Sequence, residues 1–287
     1  MVSSWLYRDC GRCLLTRRWP AVVVSGLLFS VLLVLAVMAP EFLSEPNLGL
    51  TEHGPGAVPP FGADDRGRPL WEFAAQGARV VALPSVVAGV LVGLFAAVGG
   101  LVRSMELRWA DSLIQAFGEV VGALPRMVVV LIVALLLPRD WRGLFPLAVV
   151  WALLAAPGAM DEAAAVAERL GGARFVEALR AHGYSMWRIF VVHVVAFNLR
   201  PVIVRQAAEV TMQVVFLEIS LSYLATANGD PSFTHADSVR SWADILHLGY
   251  RALAFDAPFM HALFLGLGLV ALVAGTTIGI SRAARAR

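Results

Sequence analysis

Residues 176–201 read Val-Glu-Ala-Leu-Arg-Ala-His-Gly-Tyr-Ser-Met-Trp-Arg-Ile-Phe-Val-Val-His-Val-Val-Ala-Phe-Asn-Leu-Arg-Pro, a charged segment set between apolar runs. Working outward, an apolar stretch near 143–160 precedes it and another near 202–226 follows it. A bilayer core of ~30 Å takes about 20 helical residues at 1.5 Å each. A polar, Arg-bearing connection between such stretches decides the fold class: an all-α, polytopic membrane protein.

Composition agrees. Of 287 residues, 59% are apolar and 15% charged, against roughly 25% charged in ordinary soluble domains. The mean hydropathy is +0.73. A soluble core of this size needs far less apolar surface. All 23 basic residues are Arg. Two cysteines, Cys10 and Cys13, sit in the N-terminal tail at Cys-x-x-Cys spacing. A structural zinc site needs four ligands and no second pair exists, so they read as reduced thiols. The stretch 19–40 lacks a small-residue cleavage site and is expected to stay as the first span.

Six stretches are candidates for spans: 19–40, 78–102, 112–137, 143–160, 202–226 and 258–281. The fourth is short and closes on Pro157-Gly158. Residues 70–79 form an amphipathic lead into the second. Orientation follows from Arg in the short loops, with fourteen on one side (8, 12, 17, 18, 103, 108, 169, 174, 180, 188, 200, 282, 285, 287) and seven on the other. Both tails, 1–18 and 282–287, and the connection 161–201 are therefore expected in the cytoplasm. Residues 41–77 and 227–257 are expected outside. The first outer loop, with Pro46, Pro55, Pro59 and Pro60, should be irregular rather than a folded domain. The remaining core, 78–281, holds five spans.

Within the connection, Gly171-Gly172 breaks the chain and Ala173–His182 are good helix formers ending at Gly183, a natural C-cap. Phe175, Val176 and Leu179 share a face at helical spacing. A short helix with an apolar patch beside Glu177 and Arg180 suits a groove on another protein. Spacing alone serves equally well an ordinary loop helix packed on its own bundle.

The residues carry a resemblance. The segment Phe175-Val176-Glu177-Ala178-Leu179-Arg180-Ala181-His182-Gly183, then Arg188-Ile189 and His193-Val194-Val195-Ala196, resembles the "EAA" loop of binding-protein-dependent ABC importer permeases. The dipeptide, oligopeptide and nickel importers are similar in further places. Phe61-Gly62-Ala63-Asp64-Asp65-Arg66-Gly67-Arg68 with Gly77-Ala78-Arg79 resembles their Gly-Thr-Asp loop. Glu119 stands six before Pro125 where they have Asp and Pro. Leu217-Glu218-Ile219-Ser220-Leu221-Ser222-Tyr223-Leu224 and Ser241-Trp242-Ala243 resemble their later motifs. The likeness runs from about residue 60 to the C-terminus, and the Gly-Thr-Asp-like loop points to the second, C-type permease. Departures exist: Leu179 replaces the second Ala, Ala196 replaces a Pro, and Thr226-Ala227-Asn228 replaces a Gly-x-Gly.

The resemblance implies a type I ABC importer permease fold. It also implies a bacterial inner-membrane site, a second homologous permease, two ATPase subunits, and a periplasmic solute-binding protein. ATP and Mg would reside in the ATPases, with no cofactor in this chain. Phe175, Val176, Glu177, Ala178, Leu179, Arg180 and Gly183 would form the ATPase-coupling helix. Asp64, Arg68 and Trp242 would form an outer gate or a binding-protein contact. Peptides, peptide-like compounds, and nickel or another metal chelate are all open as substrate.

Charges inside spans cost ~2.5–3.5 kcal/mol each at the centre, so each needs a reason. Arg126 follows the kink-forming Pro125. It either faces the substrate path, binding carboxylate or carbonyl oxygen, or pairs with Glu119 or a fifth-span Glu. Gln206, Glu209 and Gln213, at i, i+3 and i+7, form one polar stripe that lines the path or packs against protein. Arg205 is placed to pair with Glu209 at i+4. Glu218 falls about half a turn away and reads as a structural group tied to Ser220 or Ser222. The six histidines are scattered without metal-ligand spacing, and no metal site is expected. A GxxxxGK[ST] sequence and a Gly-x-Ser-x-Gly elbow are both missing, so no catalytic residue is assigned. Nucleic acid is not an expected partner; the lipid bilayer is. Two rivals remain: a proton-coupled secondary transporter using Glu209, Glu218 and Arg126, and an intramembrane enzyme using Glu and His.

Overall fold

The computed structural model describes residues 19–51, 53–105, 108–138, 141, 143–171, 174–227, 241–255, 258 and 260–284. Among them the chain is helical with no strands beyond one isolated bridge, Ala63 to Pro69. The helices are α1 (Trp19–Val37), α2 (Leu70–Ser104), α3 (Arg108–Gly122), α4 (Arg126–Leu136), α5 (Leu144–Gly171), α6 (Arg174–Ala181), α7 (Arg200–Ala227), α8 (Trp242–Phe255) and α9 (Met260–Ala284). One helical turn (Met186–Arg188) and a π-helical stretch (Ile189–Leu199) lead without a break into α7.

Four helical segments are long and apolar enough to cross a membrane: Leu70–Ser104, Leu144–Leu170, Met186–Ser222 and Met260–Arg282. The pair α3 and α4, bent by 79° at residues 123–125, makes a fifth if counted as one broken span. α1 is apolar but shorter. The protein is therefore an all-α, multi-pass membrane protein.

The central element is α2, which packs on α5 and α7, while α9 packs on α8, α1 and α7. α2 has 35 residues, about 52 Å at 1.5 Å per residue, so it outruns a ~30 Å bilayer core. Its uncharged stretch 80–102 spans about 34 Å, and the charged or polar Glu72, Gln76, Arg79 and Arg103 fall outside it. One face is small and fully buried: Ala74, Ala78, Val81, Ala88, Val92 and Ala96. The opposite face is bulky and exposed, with Leu83 at 63% and Leu94 at 60%. Lipid is as apolar as these side chains, so association rests on close backbone approach through small residues. Gly89 shows this directly: a Cβ there would sit 2.6 Å from the Ala207 carbonyl oxygen of α7 and would also clash with Thr211.

Two ends of the bundle are defined by contacts. At one, residues 40–51 and 53–69 fold over the start of α2. The Glu72 carboxylate accepts the Ser44 N–H (2.8 Å) and the Ser44 hydroxyl, and Gln76 donates to the Pro40 carbonyl (3.2 Å). Asp65 pairs with Arg251 of α8 (2.8 Å). The loop is irregular, as its prolines predict, and these bonds tie it down. At the other end, Arg103 of α2 makes a two-pronged contact with Asp111 of α3, both at 2.9 Å, and reaches Glu168 of α5 at 3.3 Å.

Three expected boundaries change. The third span, expected over 112–137 with Pro125 able to kink it, is broken there outright: Pro125 cannot extend α3 and instead stands at the N-cap of α4. The fourth, expected to end at 160, continues through Pro157 to Gly171 as α5. Its Ala-rich continuation is buried at Ala163, Ala164 and Ala167, and that packing outweighs the loss of one helical hydrogen bond at Pro157. The helix of the fifth span starts at Met186, well before 202.

Candidate functional site

The connection at the Arg103 end forms a compact turn. α6 runs over Arg174–Ala181 and stops at Gly183, whose φ of +79° is left-handed. Tyr184 N–H bonds the Leu179 carbonyl (3.2 Å) and Gly183 N–H the Arg180 carbonyl (2.9 Å), the paired pattern of a Schellman cap. Ser185 then caps the next turn by accepting the Arg188 N–H (3.4 Å). Arg180 lies over the Phe190 ring (5.9 Å to its centre) and Arg188 over Tyr184 (5.2 Å). Glu177, Ala178 and Arg180 are exposed, Leu179 is half-buried, and Val176 is buried at 1% exposure. The expected apolar patch is therefore divided, since Val176 faces inward. The Phe175 side chain lies outside the described set, as do Cys10 and Cys13. Sequence reasoning missed the exposed apolar residues just beyond Gly183: Met186 (45%) and Trp187 (61%). Two large apolar residues between a Gly turn and an Arg were the available signal.

Inside the spans, α5 and α7 hold a line of polar groups. Trp151 donates its indole N–H to the Gln213 Oε1 (3.0 Å), and the Gln213 amide donates to Glu209 (3.3 Å). Further along, Glu162 accepts Arg205 on one carboxylate oxygen and Gln206 on the other. The structure thus brings Gln206, Glu209 and Gln213 together on one groove. Arg205 pairs across helices with Glu162 rather than with Glu209, because α5 continues past Pro157 and carries Glu162 into reach. Sequence spacing singles out neither Glu162, which lies beyond the expected end of the fourth span at 160, nor Trp151. Arg126 and Glu119 are both exposed, and among the described residues neither enters an ion pair. Instead the Arg126 guanidinium lies beside Gly158 of α5, 3.9 Å from where a Cβ would stand. Glu218 is fully buried. It accepts Ser222 (3.0 Å) on one oxygen, and the other has no hydrogen-bond partner among the described residues. Ser220 bonds the Phe216 carbonyl instead.

At the loop end, Asp64 and Trp242 lie in the interior rather than on an outer surface. Asp64 is 3% exposed, and its Oδ1 accepts the backbone N–H groups of Arg66 (2.8 Å) and Arg68 (2.7 Å). Burial pushes its carboxyl above the usual aspartate range, and the two N–H bonds only partly oppose this. Trp242 is fully buried and donates to the Ala74 carbonyl (3.0 Å), its ring filling the space beside Gly77. Arg68 is half-buried, with its Nε lacking a partner among the described residues. No group of three or more His, Cys, Asp or Glu that could hold a metal ion occurs among the described residues.

No protein-family profile matches the chain. Two relatives do. A protein of Brucella ovis named as a peptide permease is 26% identical over 259 residues, covering 88% of this chain and 80% of its own length. The DdpC protein of Escherichia coli, named as a D,D-dipeptide transport system permease, is 22% identical over 218 residues, covering 74% of this chain and 72% of its own. Both alignments take in most of the helical core described above. The chain is thus an all-α, multi-pass membrane protein that is similar, over most of its length, to two bacterial proteins named as permeases for peptides or dipeptides.

Proposed function

We propose that this chain is the membrane subunit of an ATP-driven importer in the bacterial inner membrane, with both tails and α6 in the cytoplasm. It forms the translocation path with a second permease, and α6 with its Gly183 turn docks on an ATPase subunit. A periplasmic binding protein delivers the solute at the loop end. ATP and Mg act in the ATPases. The observation that carries the reading is α6 itself: an eight-residue helix ended by a left-handed glycine, with Glu177 and Arg180 exposed beside Trp187. A rigid cap lets a push on a short helix move the spans on either side. Closure of the ATPases on ATP favours one of two bundle states, which is alternating access by differential affinity. Arg126, Gln206, Glu209 and Gln213 line the path, and the names of the two relatives favour a peptide or peptide-like solute over a metal chelate.

Copurification tests the assembly: a tagged chain should bring an ATPase and a second permease with it. Glu177→Ala, or replacement of residues 174–183 by a Gly-Ser linker, should leave ATP hydrolysis while abolishing uptake in proteoliposomes. Uptake by the chain alone under a proton gradient, with no ATPase present, would establish the secondary-transporter alternative instead.

A further inference from the structure

Arg126 and Glu209, opposite in charge, approach the same stretch of the α5–α7 contact without forming an ion pair among the described residues. Gly158 lies four residues before Glu162, and Glu209 three residues beyond Gln206, about 6 and 4.5 Å of helical rise. The Glu162–Gln206 bond joins the two helices at one point and the Trp151–Gln213 bond at another. Gly158 and Glu209 both fall between these two bonds, so Glu209 stands level with Gly158. The Arg126 guanidinium reaches that same point from the start of α4. Gly158 is exposed in the groove, as are Arg126 and Glu209. A cation and an anion within spans ordinarily close on each other or on a structural partner. Arg205 and Glu162 do so two turns away or less, yet among the described residues Arg126 and Glu209 enter no ion pair.

We propose that Arg126, Glu209 and the bare face of Gly158 form a cradle for a zwitterionic solute, one carrying a carboxylate and an ammonium group. Arg126 takes the carboxylate through its planar fork of donors, and Glu209 takes the ammonium. Gln213 holds Glu209 in place by donating to its carboxylate, and Trp151 holds Gln213. Gly158 supplies the floor: a methyl has ordinary clearance from Arg126, whereas a longer side chain fills the gap. The inference rests on the permease reading above and adds the chemistry of its ligand.

The test uses the assembled permease–ATPase complex in detergent, without binding protein. The probes are labelled dialanine with free ends, its N-acetyl form and its C-terminal amide. The free dipeptide should bind about tenfold or more tighter than either capped form. Arg126→Gln should erase the preference for a free carboxylate while keeping the preference for a free amine, and Glu209→Gln should do the reverse. A selective loss of this kind is not produced by misfolding. Gly158→Leu should weaken all three probes, and Gly158→Ala should retain them. Equal binding of the three probes by the unaltered complex, no binding of the free dipeptide, or the same loss for every probe in both variants overturns the proposal. If the ATPase copurifies but the probes are not discriminated, only the cradle falls; if no ATPase copurifies, the permease assembly falls as well.

Discussion

Glu162→Ala puts the α5–α7 contact under direct test. Glu162 receives Arg205 on one oxygen and Gln206 on the other, and removing it strands a guanidinium inside a span. The Arg205 and Glu162 side chains are 39% and 34% exposed, so screening places the pair at the lower end for bonds to charged groups, about 1.5 kcal/mol. The Gln206 amide adds about 0.5 kcal/mol. The sum, about 2 kcal/mol, is roughly a 30-fold change in the unfolding equilibrium. Glu162→Met combined with Arg205→Met removes both charges and leaves no orphan. Two flexible apolar side chains of similar length fit the same gap, so the double variant should come within about 1 kcal/mol of the parent. Denaturant unfolding in mixed lipid–detergent micelles, run as a double-mutant cycle with Arg205→Met, reads the coupling. Additive losses, with the double variant as damaged as the two singles together, would refute the pairing argument.

Substitutions at four further positions have signed outcomes. Asp64→Asn keeps the acceptor oxygen and removes a charge whose carboxyl is raised by burial. A raised acid stabilises the fold below its unfolded value and loses that contribution as pH climbs through the folded value. Asp64→Asn should therefore melt at or above the parent at neutral pH, with the gap closing on acidification, whereas Asp64→Ala melts lower at both. Gly89→Ala should lower thermal stability by about 1–3 kcal/mol, because the backbone of α7 blocks the methyl. Gly268→Ala in α9 meets open space and should be neutral or stabilising by up to about 1 kcal/mol. Gly183→Ala forces a left-handed Ala at a cost of about 1–2 kcal/mol, and the amides of Gly183 and Tyr184 should exchange faster with deuterium.

Much of the architecture is legible because lipid imposes it: runs of apolar residues long enough to span, Arg in the connections, Gly after the last helical residue of α6. What stays hidden depends on three-dimensional partners. Pro157 reads as a stop, yet the alanines after it find α2 and the helix continues. That single misreading hides Glu162, and with it the true partner of Arg205. Trp242 reads, through the family resemblance, as part of an outer gate or a binding-protein contact. Only the space beside Gly77, distant in sequence, shows that the ring has an interior place. The π-helical stretch Ile189–Leu199 has no periodic signature, and its one local mark is Asn198 donating to the carbonyl of His193, five residues back. Spacing groups Val176 with Phe175 and Leu179, but spacing does not say which way a face turns.

Arg103 fastens Asp111 with two prongs and Glu168 with a third contact, so one guanidinium rivets the start of α3 to the far end of α5. Glu168 stands six residues before α6. A shift of this end of α5 is therefore shared with α2 and α3 rather than absorbed by α5 alone.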